Sequence, residues 1–469
     1  MSFLDVAVAG AMVALSGLWA FRFSLAGLSL RIVVLGLIAL ALLQVALEGF
    51  YWQFIPGYIL VAVASLLRNT GMTSIRLRFF LAVLLLPFVA VWVLVPVPRL
   101  TQPQGRYTIG TKVFRWVDAS RPEEATADPG DRRNVVVQAW YPAAEASRGL
   151  SSPYIDGLGR LPDYVSLLPG FVMSRYDRIQ SNGILDASIS TDRSRWPVVV
   201  FSPGYGASRA FYTSLVTGLA SRGYVVLAVD HPYEAALVEL ADGRIVTTVE
   251  NFSKDDGDRI GYMIRHLDLR ASDVSCVLDQ IQRVDVLGEV LFHRLDLDHI
   301  GVIGHSFGGA TAAVVMDRDP RVKAAANIDG TLYGSIAGKA LKGQFLLLQS
   351  DPAETHHSEW YLSGNRQLLE NLEAGGFRYE IGGANHYGFT DVPLFFSAPG
   401  RFLLAQLIGG PRNVEETHRA TVEIVAAFLQ GPLTGQPGSI ENVVRRYEGI
   451  VGGPVGPHSK KARSAGAGG

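Results

Sequence analysis

The chain has 469 residues, and its Lys and Arg nearly balance its Asp and Glu at a net charge of -1, which leaves no basic surface for nucleic acid. A mean hydropathy of +0.22 is high for an enzyme bathed in water and calls for segments shielded from it. The lone cysteine, Cys276, excludes an internal disulfide and a cysteine metal cluster; within a helical apolar pattern it reads as a small buried hydrophobe.

Apolar runs open the chain at Val6 to Phe21, Ile32 to Leu47, Phe54 to Leu67 and Phe79 to Val97. A bilayer-crossing helix needs about 20 mostly apolar residues, so these runs predict an all-α transmembrane domain of about four helices over residues 1–100. The third run is short and begins with Pro56-Gly57, which also suits a re-entrant segment. No basic region precedes the first run, so a cleaved signal peptide is not expected. Arg22 and Arg31 flank the first loop, and Arg68, Arg76 and Arg78 lie in the third. The positive-inside rule then predicts a multi-pass cell-membrane protein whose large C-terminal domain is extracytoplasmic.

Pro96, Pro98 and Pro103 mark a linker, and the composition changes near Thr101. Strand-like runs follow at Tyr107–Phe114, Asn134–Trp140, Pro197–Phe201, Tyr224–Val229, His299–Ile303, Val322–Ile328, Gln344–Leu348 and Phe377–Ile381. Helical patterns lie between several of them, one with Ile260, Met263, Ile264, Leu267, Val274, Leu278 and Ile281 on one face. Strands alternating with helices predict an α/β domain over 101–450, with a mostly parallel sheet covered on both faces. Ser151 to Arg195, with little periodicity, reads as an excursion that could cover a pocket, and 451–469 as a disordered tail.

The chemistry centres on Val302-Ile303-Gly304-His305-Ser306-Phe307-Gly308-Gly309. Gly-x-Ser-x-Gly alone is a weak signal in a chain with 50 glycines. An apolar strand before it and an Ala-rich helix after it are what a nucleophile elbow requires, holding Ser306 strained and exposed above a sheet. A serine needs a base, and the base an orienting acid, in the chain order Ser, acid, His. Of the later histidines, His386 sits in a glycine-rich loop just after the last strand of the alternating pattern, and His356 and His357 are its competitors. Asp329 and Asp351 each end a strand after Ser306, and the residues alone leave these two acids even. For the oxyanion, the backbone N–H of Phe307 and that of Tyr205, in the turn Ser202-Pro203-Gly204-Tyr205-Gly206, are the expected donors. Phe211 and Phe389 are the expected substrate-binding aromatics.

Taken together, Phe201 to Gly206 with Phe211-Tyr212, Gly304 to Thr311, Asn327-Ile328-Asp329-Gly330, Asp230-His231-Pro232, and His386 before Phe389-Thr390-Asp391 resemble the platelet-activating-factor acetylhydrolase family, isoform II or plasma type, in the form of a bacterial, membrane-anchored relative. The resemblance covers roughly Tyr107 to Gln430 and implies the α/β-hydrolase fold, with an acid directly after the strand that follows the nucleophile helix, hence Asp329. Pro203 stands where the animal enzymes carry a histidine. The resemblance also implies hydrolysis of short or oxidised acyl esters with no metal and no organic cofactor. The expectation is therefore a serine esterase or lipase with an ester or lipid substrate, anchored in the membrane as an integral protein. The rivals are an acyltransferase using the same three residues, or a membrane transport or sensing module with a degenerate hydrolase domain. Oligomeric state is not legible.

Overall fold

The computed structural model describes residues 3–20, 30–55, 57–59, 98–156, 179–249, 259–397, 400–401 and 410–456, with isolated positions at 62, 83, 91, 94 and 96. The chain divides into two compact units. One comprises Met1–Arg99, Leu158–Ile179 and Leu394–Leu404; the other comprises Leu100–Gly157, Gln180–Pro393 and Ala405–Gly469.

In the first unit, α1 (Phe3–Ala20) and α2 (Leu30–Glu48) pack through Val8, Ala9, Met12 and Leu37, with Tyr51 and Phe54 closing the cluster. Gln44 on α2 is buried; it donates to the Gly49 carbonyl at 3.3 Å and accepts from the Tyr58 hydroxyl at 3.1 Å. This corrects the expected membrane domain and the cell-membrane localisation. Among the described residues no helix is long and apolar enough to cross a membrane. Most of the apolar runs at 54–67 and 79–97 lies outside the described residues.

The second unit carries β1 (Ile109–Pro122), β2 (Arg132–Pro142), β3 (Ile184–Leu185), β4 (Trp196–Ser202), β5 (Val225–Asp230), the small hairpin β6 (Val238–Glu239) and β7 (Ile245–Val246), β8 (Leu295–His305), β9 (Val322–Ile328), β10 (Gln344–Ser350), β11 (Gly376–Ile381) and β12 (Ile450–Val455). Ten strands form one sheet in the order β12-β11-β10-β9-β8-β4-β5-β2-β1-β3. Strands β5, β4, β8, β9, β10 and β11 are parallel; β2 and β12 close the parallel block with antiparallel pairs. This is an α/β-hydrolase fold.

Parallel strands buried on both faces are apolar without interruption, as Val198-Val199-Val200-Phe201 is. Alternate residues then serve opposite layers. Val198, Val200, Ile300 and Val302 pack against α4 (Arg259–Gln280) and α5 (Phe307–Arg318), through Leu267, Val274, Val277, Ala310 and Ala313. Val199, Phe201 and Ile303 pack against α3 (Thr213–Ala220) and α6 (Val414–Thr434), through Leu215, Leu219, Val425 and Phe428. Cys276 lies buried on α4, as its pattern implied.

The sheet continues further than the sequence suggested. Ile450–Val455, placed largely in the tail, pairs along β11 from Ile381↔Ile450 to Gly376↔Val455. Its Gly452-Gly453-Pro454 gives no strand periodicity, which is why the pattern misses it. Residues 457–469, and residues 157–178 of the excursion, lie outside the described residues.

The chain passes from β4 to β5 on one side and then returns to β8 on the other side of β4. That reversal opens a crevice at the carboxyl ends of β4 and β8, where ligands bind in open α/β sheets. Ser202 ends one of these strands and His305 the other.

Candidate active site

Ser306 occupies the single step between β8 and α5, with φ 55° and ψ -124°. A non-glycine residue held there stores about 1–3 kcal/mol of strain, which the surrounding structure must sustain. Its own N–H donates to the Ile328 carbonyl at 2.8 Å, tying the turn to β9. Two glycines make the turn possible. A Cβ on Gly304 would collide with the Gly308 carbonyl, and one on Gly308 with the Ser202 carbonyl. The helix thus folds back directly onto β8 and β4.

Asp329 follows β9 and is also held at positive φ, 56°. Its N–H donates to Leu348 at 2.8 Å, so β10 fixes the backbone beneath the carboxylate. His386 begins a short 3-10 turn after β11, with Asn385 capping that turn by accepting from Tyr387 N–H. The side chains meet in one line: Ser306 Oγ to His386 Nε2 is 3.0 Å, and His386 Nδ1 to Asp329 Oδ2 is 2.7 Å. Asp329 is buried, yet its carboxyl lies well below the usual range. Burial pushes it up, and hydrogen bonds from His357 and His386 more than reverse that push. A hydroxyl so placed can pass its proton to an imidazole that a fixed carboxylate orients.

Asp351, the other acid the residues allowed, is occupied elsewhere. Its Oδ1 accepts from Ala353 N–H at 2.9 Å as a helix cap, and its Oδ2 from Gly383 N–H at 2.8 Å. The structure brings Asp329, not Asp351, to His386. His357, a competitor for the base, sits instead on the second oxygen of Asp329 at 3.1 Å.

Phe307 is the first residue of α5, where N–H groups have no intrahelical carbonyl to bond. Tyr205 lies in the turn after β4, and its ring meets that of Phe307 edge-on at 5.9 Å. Gly204 lies against the serine: a Cβ there would stand 3.3 Å from Ser306 Cβ. The two expected substrate-binding aromatics are placed otherwise. Phe389 is 2 % exposed, inside the core and 5.9 Å from the His305 ring. Phe211 is half-buried and packs against the same core cluster. Rings in contact with Tyr205 or Phe307 are Tyr262, His266 and Tyr333.

Sequence reasoning missed the residues behind these groups. Ser350 N–H and Oγ donate to Asp329 Oδ1 at 2.8 and 2.9 Å. His305, inside the Gly-x-Ser-x-Gly motif, hydrogen-bonds the His386 carbonyl at 3.0 Å and the Tyr212 hydroxyl at 2.8 Å. Tyr212 OH in turn accepts from Gly204 N–H at 3.0 Å. The one available signal for Tyr212 was its place in Phe211-Tyr212 after the glycine turn. Among the described residues, no group of three or more His, Cys, Asp or Glu could hold a metal ion.

The model of the family described as platelet-activating factor acetylhydrolase, isoform II, matches residues 99–434. The chain belongs to that family. Through this isoform II family it stands with the carboxylic ester hydrolases. A probable 1-alkyl-2-acetylglycerophosphocholine esterase of Arthroderma benhamiae is 29% identical over 211 residues, covering 44% of this chain and 51% of the fungal protein. The platelet-activating factor acetylhydrolase of Canis lupus familiaris is 30% identical over 155 residues, 29% of this chain and 35% of the dog protein. The matches thus span about half or less of these curated relatives. Among solved structures, a ferulic acid esterase from Streptomyces cinnamoneus superposes with a TM-score of 0.63 at 30% identity, over 76% of this chain and 99% of that one.

Proposed function

We propose that the chain is a serine esterase acting through an acyl-enzyme, with Ser306 as nucleophile, His386 as base and Asp329 as the orienting acid. The observation that carries this reading is the unbroken line Ser306 Oγ–His386 Nε2–His386 Nδ1–Asp329 Oδ2, at 3.0 and 2.7 Å, on an elbow at the sheet's switch point. The Ser306 proton passes to His386 Nε2 as Oγ bonds to the ester carbonyl carbon. The carbonyl oxygen takes the negative charge and is held by the N–H groups of Phe307 and Tyr205. His386 then gives its proton to the departing alkoxide, leaving an acyl-serine. Water, deprotonated by the same imidazole, adds to the acyl carbon; the acid leaves and Oγ regains a proton.

The relatives' names suggest two substrate classes: a glycerophospholipid with a short acyl ester, and an aromatic acyl ester. We take the short-acyl ester as the leading class, because the family match covers the whole catalytic region and the names within it point to an acetyl group. A fluorophosphonate probe should label the wild type and miss Ser306→Ala. Labelling that persists in the variant would refute the assignment. A panel of short-acyl phospholipid, hydroxycinnamoyl and p-nitrophenyl esters then ranks the acyl groups.

A further inference from the structure

Helix α4 shows the spacing of an ordinary amphipathic helix, yet three charged or polar residues on it, His266, Arg270 and Asp273, face inward. Arg270 and Asp273 are fully buried. All three reach the segments that surround the oxyanion turn. Arg270 donates through Nη1 to the Pro203 carbonyl at 2.6 Å and through Nη2 to the Gly204 carbonyl at 3.4 Å. Its guanidinium also lies over the ring faces of Phe307 and Tyr205, at 4.9 and 5.8 Å from their centroids.

The charge is matched from the loop after β5. Glu234 Oε2 accepts from Arg270 Nε at 2.6 Å, and Glu234 Oε1 lies 2.7 Å from His266 Nδ1. The Glu234 carbonyl accepts from Gly206 N–H at 2.9 Å. One turn further along α4, Asp273 holds His231 Nδ1 at 2.8 Å, and His231 Nε2 lies 3.0 Å from Ser202 Oγ. That Ser–His–Asp line is sealed in the core, with all three residues shielded from solvent. It fixes the residue at which the turn begins.

A trans peptide points its C=O and N–H in opposite directions. In the Pro203–Gly204 peptide, Arg270 takes the oxygen and Tyr212 OH takes the N–H. In the Gly204–Tyr205 peptide, Arg270 takes the oxygen, so the Tyr205 N–H faces away from α4. We infer that Arg270, held by Glu234, is a positioning residue that sets the direction of the Tyr205 N–H and braces both oxyanion residues. The inference rests on the serine-esterase reading above. A planar guanidinium suits the task because it can bridge two carbonyls and still stack on rings, which an ammonium cannot do.

Two variants test it. Arg270→Lys retains the charge beside Glu234 but loses the fork. The pair Arg270→Gln with Glu234→Gln removes both buried charges together. With a p-nitrophenyl ester, kcat per titrated active site should fall about 10-fold in Arg270→Lys and about 100-fold in the double variant, toward the 10²–10³-fold cost of losing an oxyanion donor. KM should stay within about threefold. Affinity for a trifluoromethyl ketone, which forms the tetrahedral adduct, should fall in parallel with kcat. Wild-type kcat in folded Arg270→Lys, or a loss confined to KM, would overturn the inference. A purely structural role would lower the melting temperature while leaving kcat per titrated site and ketone affinity unchanged, which also overturns it. Failure of the esterase reading itself is seen separately, as fluorophosphonate labelling of the wild type that does not depend on Ser306.

Discussion

His357 Nε2 lies 3.1 Å from Asp329 Oδ1, on the oxygen opposite the one that holds His386. The carboxylate therefore serves two imidazoles. His357 is itself fixed, stacked on Tyr361 with ring centroids 3.7 Å apart. Donation to Oδ1 draws off negative charge that would otherwise stabilise an imidazolium at position 386. His357→Phe, which preserves the stack and removes the donor, should move the acid limb of kcat/KM to higher pH. His357→Gln, which retains a donor, should move it less. A pH profile of kcat/KM over both variants and the wild type checks the ordering.

Asp329 and Asp351 end successive strands, and only their partners distinguish them. Asp329→Asn leaves His386 without its orienting carboxylate and should cost roughly 10³–10⁴-fold in kcat, as a misassigned tautomer does. Asp351→Asn keeps an oxygen for the helix cap but sets an amide N–H₂ where Gly383 N–H needs an acceptor. It should cost about 1–3 kcal/mol of stability and less than tenfold in kcat. Steady-state kinetics and thermal melts on both variants check this, and the reverse pattern of kcat losses would move the acid to Asp351.

Much of this arrangement was legible in the sequence. The strands of the parallel block follow from runs such as Val198-Val199-Val200-Phe201, because a strand buried on both faces has no polar alternation to disguise it. Ser306 was legible because a strained turn demands glycines at fixed offsets, and His386 because the chain order of this fold demands a late histidine. The choice of Asp329 needed the family resemblance, since two acids at adjacent strand ends look alike until the sheet closes. Arg270 and Asp273 were hidden for another reason: buried charges at helical spacing look like a solvated face. The first two N-terminal runs pointed to spans that the described helices do not bear out, because an apolar composition alone does not fix whether a helix is long and apolar enough to cross a bilayer.

Asp391 carries a pH dependence of stability whose sign follows from its burial. Its carboxylate accepts from Ser214 N–H at 3.3 Å and from the Tyr154 hydroxyl at 3.5 Å, with no cation among these partners. Burial pushes it up to about 7 from the ordinary carboxylate value of 3.8. The folded state thus prefers the protonated form. That preference is worth its full amount below pH ~3.8 and is lost as pH rises through about 7. Asp391→Asn, neutral throughout, should therefore gain on the wild type as pH rises from 4 to 8, by about 2–4 kcal/mol at the upper end. Urea melts at several pH values check it; a constant difference between the two proteins would show that Asp391 carries no such shift.

The relay behind His386 has a direction that can be worked out atom by atom. His305 is held down to about 3, first by burial and then by the neighbouring His386, so it stays neutral and carries one proton. The His386 carbonyl can only accept, so that proton is on His305 Nε2, and Nδ1 must accept from Tyr212 OH. Tyr212 has one proton to give, which leaves its oxygen to accept from Gly204 N–H. The chain runs from the Gly204 turn through Tyr212 and His305 to the backbone of His386. Tyr212→Phe strands the buried Gly204 N–H and His305 Nδ1 together and should cost about 1–3 kcal/mol of stability. It should also lower kcat about tenfold with little change in KM, because both the turn and the base lose a fixed anchor. Thermal melts read the first effect and steady-state kinetics the second. Unchanged kcat in a folded Tyr212→Phe would mean that the relay supports the fold alone.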